Sequence, residues 1–235
     1  MRFETVARSH IGCRRKTNED AMLMRPDLGL WAVADGMGGH EAGEVASALV
    51  VEKLREGRTG ETSAVSARTA IAAANSQLWG MAAAGKPRTI GSTVVALVLD
   101  KSEFTCLWAG DSRAYLARDG VLRQLTRDHS LVQQLVDAGD LDAKAAAEHP
   151  NANIITRAVG AAPKLELDSV DGALFAGDAF LLASDGFTRL IQESEMLAAL
   201  EVADLEEVAD NLVETCLARK APDNLTFVML RVSAD

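Results

Sequence analysis

Apolar residues recur at helical spacing in three long stretches. In Glu41–Glu56, the residues Ala42, Val45, Ala46, Leu49, Val50 and Leu54 fall on one face. Thr62–Ala84 repeats the pattern with Val65, Ile71, Ala72, Leu78, Trp79 and Ala82, and Asp204–Arg219 with Leu205, Val208, Ala209, Leu212, Val213, Cys216 and Leu217. Asp204, with Glu207 three positions on, has the form of a capping box. A shorter helix is predicted over Ser130–Ala138, stopped by Gly139. Between these blocks lie strand-sized apolar runs bounded by turn residues: Ala21–Arg25, Leu30–Ala34, Thr93–Leu99, Phe104–Ala109, Ala114–Arg118, Ala179–Ser184 and Thr226–Val232. Asp100–Glu103 and Arg118–Gly120 read as hairpin turns. Hairpin-linked strands pair antiparallel, since a parallel pair needs a long crossover. Strands in hairpin runs and helices in separate blocks predict an α+β fold rather than a doubly wound sheet. No repeat, low-complexity tract or linker interrupts the pattern, so residues 1–235 are expected to form one domain.

Composition adds limits rather than detail. Hydrophobic residues make up 48% and charged residues 25% of the 235 positions, which is globular composition. A chain of this length buries enough surface to fold without a disulfide or a metal. The net charge of −10 repels phosphate backbones and anionic lipid, so neither nucleic acid nor a membrane is expected as a partner. Cys13, Cys106 and Cys216 are an odd set with no CxxC pair, which fits free thiols in a reducing compartment. The residues after Met1 lack the apolar run of a signal peptide, and no apolar run approaches membrane-spanning length. A cytoplasmic location is expected.

The candidate chemistry sits at strand ends. Leu30–Ala34 runs into Asp35-Gly36, Cys106–Gly110 into Asp111-Ser112, and Phe180–Ser184 into Asp185-Gly186. Asp223-Asn224 immediately precedes the last strand, and Glu19-Asp20 precedes Ala21. Asp-Gly alone is a common turn dipeptide, but the recurrence allows these carboxylates to converge across a sheet edge. Converging carboxylates raise one another's pKa, and a cation removes that penalty. Only four histidines occur (His10, His40, His129 and His149), none paired at a ligand spacing. Hard oxygen donors without imidazole or thiolate favour Mg²⁺ or Mn²⁺ over Zn²⁺. Two such ions can share a water and direct it at phosphorus. Arg14-Arg15-Lys16 beside this acidic set suits an anionic substrate, because a guanidinium can hold phosphate bidentately. Asp35-Gly36-Met37-Gly38-Gly39-His40 is neither a Walker loop nor a dinucleotide fingerprint, and a Gly36 carbonyl beside Asp35 would form a cation cradle.

Taken in order, these motifs resemble the type 2C, metal-dependent serine/threonine protein phosphatases. The resemblance rests on Arg15 with Asn18-Glu19-Asp20, Asp35–His40 with Ala42-Gly43-Glu44, and Gly91-Ser92-Thr93. Gly110-Asp111-Ser112-Arg113, Ser184-Asp185-Gly186 and Asp223-Asn224-Leu225-Thr226 complete it. The block Leu125–Gly160, with Asp128-His129-Ser130 and Ile155–Gly160, is similar to bacterial members. The resemblance implies a central antiparallel β-sandwich flanked by helical layers, with a two-metal site at one edge. It implies that Asp35 bridges two Mn²⁺ or Mg²⁺ ions, that the Gly36 carbonyl binds one, and that Asp185 and Asp223 complete the set. Glu19 and Asp20 would hold metal-bound waters, Arg15 the substrate phosphate, and Asp111 a third, weaker ion. Many relatives carry histidine as general acid where Met37 stands, so the acid here is unassigned, and His40 would pack at the loop base.

The implied reaction is hydrolysis of phosphoserine or phosphothreonine in proteins by a metal-bridging water. The implied partners are phosphorylated proteins and a cognate serine/threonine kinase, with the enzyme acting as a monomer. Some small relatives serve type VI secretion control. The alternatives are a metal-dependent phosphohydrolase of small molecules and a catalytically silent phosphoprotein-binding module. Intact Asp35, Asp185 and Asp223 argue against the second alternative.

Overall fold

Strand Leu30–Gly38 sets the plan of the molecule, because it is apolar on both faces up to Ala34. Such a strand has to lie between two layers. In this computed structural model, which describes residues 1–38, 42–56, 63–85, 90–147 and 149–234, it lies between a helical layer and a second sheet. Gly39, His40, Glu41 and Thr62, all named above, are outside the described residues.

The strands are β1 (Arg2–His10), β2 (Asp20–Arg25), β3 (Leu30–Gly38), β4 (Ile90–Ser92), β5 (Val94–Asp100), β6 (Glu103–Ala109), β7 (Arg113–Arg118), β8 (Val121–Gln124), β9 (Asp168–Ala173), β10 (Ala179–Ala183) and β11 (Leu225–Ser233). The helices are α1 (Ala42–Glu56), α2 (Ala64–Ala83), α3 (Leu131–Asp137), α4 (Ala143–Ala147), α5 (Asp185–Thr188), α6 (Glu193–Glu201) and α7 (Leu205–Ala218). One sheet has the order β1-β11-β10-β7-β8. The other has β2-β3-β5-β6-β9, with β4 paired to the far end of β3. Every strand pair is antiparallel.

Side chains alternate between layers with the strand period of two. Trp31, Val33, Leu97, Cys106, Phe180 and Val228 fill the space between the sheets. Leu30, Ala32, Ala34 and Ala96 face the other way, against Ala46, Val50, Ile71 and Leu78 of α1 and α2. Tyr115, Leu181 and Phe227 meet Met196, Leu205, Ala209 and Cys216 of α6 and α7 on the outside of the first sheet. The result is the α-β-β-α arrangement that the resemblance implies.

Local signals act where the sequence places them. Ser130 and Asp204 cap α3 and α7 with their side-chain oxygens, and Gly139 takes a positive φ just past α3. Asp119 and Gly120 both have positive φ, as a tight hairpin turn demands. The hydrophobic pattern did not predict β1, β4, β8, β9, α4, α5 or α6. Of these, β1, β8 and β9 are edge strands, whose exposed faces carry polar residues and break the apolar run. Among the described residues no helix is long and apolar enough to cross a membrane.

Candidate metal centre

Two strand pairs bring the acidic residues to one edge. The β2–β3 register places Asp20 opposite Asp35. In the other sheet, Ala183 at the end of β10 pairs with Phe227 near the start of β11. Asp185 and Asp223, just beyond those positions, therefore emerge at the same edge. Asp111 follows from the turn between β6 and β7. Arg15, Glu19, Asp35, Asp111, Asp185 and Asp223 line one cleft of about 240 Å³. Met37 also lines it and can supply no proton. Arg14 and Lys16, which accompany Arg15 in the basic cluster, are not among the lining residues.

The scaffold that aims these groups is mostly backbone. Asp35 is fixed from both sides by Thr93: the Thr93 N–H donates to the Asp35 carbonyl at 2.8 Å, and the Asp35 N–H donates to Thr93 Oγ1 at 2.9 Å. Ser92 Oγ adds a bond to the same carbonyl at 3.0 Å. Thr93 Oγ1 is in turn 2.7 Å from Ser112 Oγ, which joins Asp35 to the Asp111 turn. The Gly36 N–H donates to the Glu19 carbonyl at 3.0 Å. A Cβ on Gly36 would stand 1.9 Å from the Gly43 carbonyl oxygen, and one on Gly43 would stand 2.6 Å from the Glu19 carboxyl. Both positions need glycine because β3, α1 and the Glu19 segment meet there.

Asn224 anchors the opposite wall. Its Oδ1 accepts from the Glu19 N–H at 2.9 Å, and its Nδ2 donates to the carbonyls of Ile11 at 2.9 Å and Thr17 at 3.0 Å. One buried amide thus pins both ends of the loop that carries Arg15. Sequence reasoning assigned no role to Thr93, Ser112 or Asn224. Each lies next to an expected site residue or its motif, but side-chain-to-backbone bonding leaves no periodic signal.

Charge is the problem this cleft has to solve. Burial, then Asp20, Asp185, Asp111 and Asp223 in turn, push the Asp35 carboxyl well above the ordinary range. Asp20 is raised to about 7, mainly by burial, against hydrogen bonds from Thr226 and Ser184; the Ser184 hydroxyl donates to its Oδ2 at 2.9 Å. Asp111 is raised to about 7 by burial and then by Asp185 and Asp128, with Arg189 opposing. Asp185 and Glu19 are raised by burial, which Arg189 and Arg15 respectively oppose. Asp20 Oδ1 is buried with no hydrogen-bond partner among the described residues.

An all-oxygen donor set with an orphaned carboxylate oxygen fits a hard divalent cation. Among the described residues no three acidic, imidazole or thiolate side chains are already drawn together enough to hold an ion. Two of the carboxylates instead face guanidinium groups. Arg15 Nη2 is 2.7 Å from Asp223 Oδ2, and Arg189 Nη2 is 2.9 Å from Asp185 Oδ2. Arg189 was missed in the sequence, although it lies one helical turn after Asp185.

The thiols take no part in this edge. Cys106 is buried between the sheets, where burial drives its pKa upward, and Cys216 is pushed up to about 11 under α7. Cys13 is exposed, and none of the three is disulfide-bonded.

The family model for protein phosphatase 2C matches residues 8–228. The serine/threonine protein phosphatase PstP of Mycobacterium tuberculosis is 36% identical over 231 residues, covering 97% of this chain. The chain spans 44% of the length of that relative. Among solved structures, PppA, described as a key regulatory component of T6SS in Pseudomonas aeruginosa, superposes with a TM-score of 0.90 at 41% identity, over 99% of this chain and 98% of its own. The catalytic domain of PstP in complex with two manganese ions superposes with a TM-score of 0.89 at 34% identity, over 99% of each chain.

Proposed function

The chain belongs to the protein phosphatase 2C family, and we propose that it is a metal-dependent protein serine/threonine phosphatase, with residues 1–235 forming one catalytic domain. The observation that carries this reading is the convergence of Asp20, Asp35, Asp111, Asp185 and Asp223 from both sheets on one edge, with Arg15 across the cleft. Asp35, the Gly36 carbonyl, Asp185 and Asp223 would hold two Mn²⁺ or Mg²⁺ ions, and Glu19 and Asp20 would accept from their waters. Bound there, the two ions would supply Lewis acidity toward the phosphoryl oxygens and lower the pKa of the attacking water. The two-manganese complex of PstP supports this stoichiometry.

The chain's own residues supply position and charge. Arg15 sits on the Asn224-pinned loop at the cleft mouth, tied to Asp223 by a single ion pair, and can turn its fork to a phosphate dianion. Asp35 is held rigid by Thr93 and Ser92, so its carboxylate pays little reorganisation when the charge around it changes. Positioning and electrostatics of this kind provide most of the catalysis in phosphoryl transfer.

The substrate class is phosphorylated protein, and a serine/threonine kinase is the opposing enzyme. The likeness to PppA supports a place in secretion control, and the same reading has the protein act in the cytoplasm as a monomer. Hydrolysis of a phosphothreonine peptide should require added Mn²⁺ or Mg²⁺ and stop with EDTA. Turnover of nucleotides or sugar phosphates in preference to phosphopeptides would favour a small-molecule phosphohydrolase. Phosphopeptide binding without turnover in Mn²⁺ would favour a silent binding module.

A further inference from the structure

The resemblance assigns a third ion to Asp111, and the structure brings the Arg189 side chain beside that carboxylate. Arg189 follows Asp185 by one turn, and its backbone N–H closes that turn by donating to the Asp185 carbonyl at 3.0 Å. The turn directs the guanidinium at the Asp185 carboxylate, 2.9 Å away, and brings it to 3.9 Å from Asp111 Oδ2. The other side of the guanidinium is also held. Nη1 donates to Asn153 Oδ1, and Nη2 lies 3.4 Å from the Ala152 carbonyl. Four acceptors from three segments therefore surround one cation.

Arg15 differs in just this respect. Among the described residues it is hydrogen-bonded in the cleft to Asp223 only, so its release breaks a single ion pair. The neighbouring Arg113 is engaged with Asp128 at 2.7 Å.

We propose that the Arg189 guanidinium is a built-in counter-cation for the Asp111–Asp185 pair, standing where a third divalent ion would otherwise bind. The protein then works with two exchangeable ions and one covalently tethered charge. The tether also joins the metal edge to the Ala152–Asn153 segment beside the cleft. This rests on the two-ion reading above and concerns only what happens beside it.

The test is the number of Mn²⁺ ions bound per chain, read by native mass spectrometry and by electron paramagnetic resonance titration of free Mn²⁺. The wild type should saturate at two. Arg189→Ala and the more conservative Arg189→Gln should each take up a third, weaker ion, lost again when Asp111→Asn is added. Arg189→Lys should stay at two, since it keeps the charge. Three ions on the wild type, falling to two in Asp111→Asn, would overturn the proposal, and that arm requires no Arg189 variant to fold. A third ion absent from both Arg189→Ala and Arg189→Gln would also overturn it. Fewer than two ions on the wild type would instead overturn the two-ion reading, and this proposal with it.

Discussion

Asp35 has charged neighbours on every side and backbone bonds that prevent it from moving away. Replacing it with asparagine removes an ionisable group from the proposed metal edge, while the Thr93 and Ser92 bonds to its backbone survive. Asp35→Asn, Asp185→Asn and Asp223→Asn should each lose most phosphatase activity yet keep the circular dichroism spectrum of the wild type. A near-normal rate and Mn²⁺ affinity in Asp35→Asn would remove it from the centre. Arg15→Ala should act differently, lowering kcat/KM with little change in Mn²⁺ affinity. Loss of a charge-assisted contact of ~1.5–3 kcal/mol corresponds to roughly ten- to a hundredfold. These residues were legible because Asp beside Gly, Ser or Asn at a strand end repeats along the chain. Arg189 was not, because its contact with Asp111 joins distant segments and its spacing to Asp185 is common on any helix, and Asn224 was not, because its partners lie more than 200 positions away.

Strands and turns impose their own tests. Gly36→Ala would drive a methyl into the Gly43 carbonyl at 1.9 Å, backbone against backbone. The expected cost is at least about 1–3 kcal/mol, with a lower Tm and loss of metal binding together. An unchanged Tm would show that β3 and α1 can separate there. The cysteines test the opposite claim. Replacing all three by serine should spare turnover, with a stability cost at Cys106, where a hydroxyl would be buried between the sheets. A Cys106→Ser protein that folds normally but is inactive would argue for a thiol nucleophile. The central strands were legible because both their faces are apolar. The edge strands β1, β8 and β9 were not, because alternating Glu, Arg and Asp positions resemble loop sequence until a neighbour strand pairs with them.

Acid–base linkage ties the cleft to the stability of the entire fold. Asp20 and Asp111, at about 7 in the folded chain, bind protons there that an unfolded aspartate has released above about 4. Between those values the native state holds more protons than the unfolded state. These groups therefore make the metal-free protein less stable as pH rises from about 4 to 7. Cations binding the ionised cleft relieve that cost, so the gain in Tm from added Mn²⁺ should be larger at pH 7.5 than at pH 5.5. Equal gains at the two pH values would detach the cleft from the ions. The α+β class was readable from hairpin runs and helical blocks and the four-layer plan from the family resemblance, whereas the order of strands in each sheet was not, since register over long separations leaves no mark in local pattern. That order has a consequence during synthesis. The final strand, β11, lies inside its sheet, between β1 and β10, and the residue two positions before it is Asp223. Synthesis must therefore pass β11 before β1 finds its neighbour or Asp223 reaches the cleft. Any stretch that stops short of it lacks both an inner strand of the first sheet and one acid of the cleft.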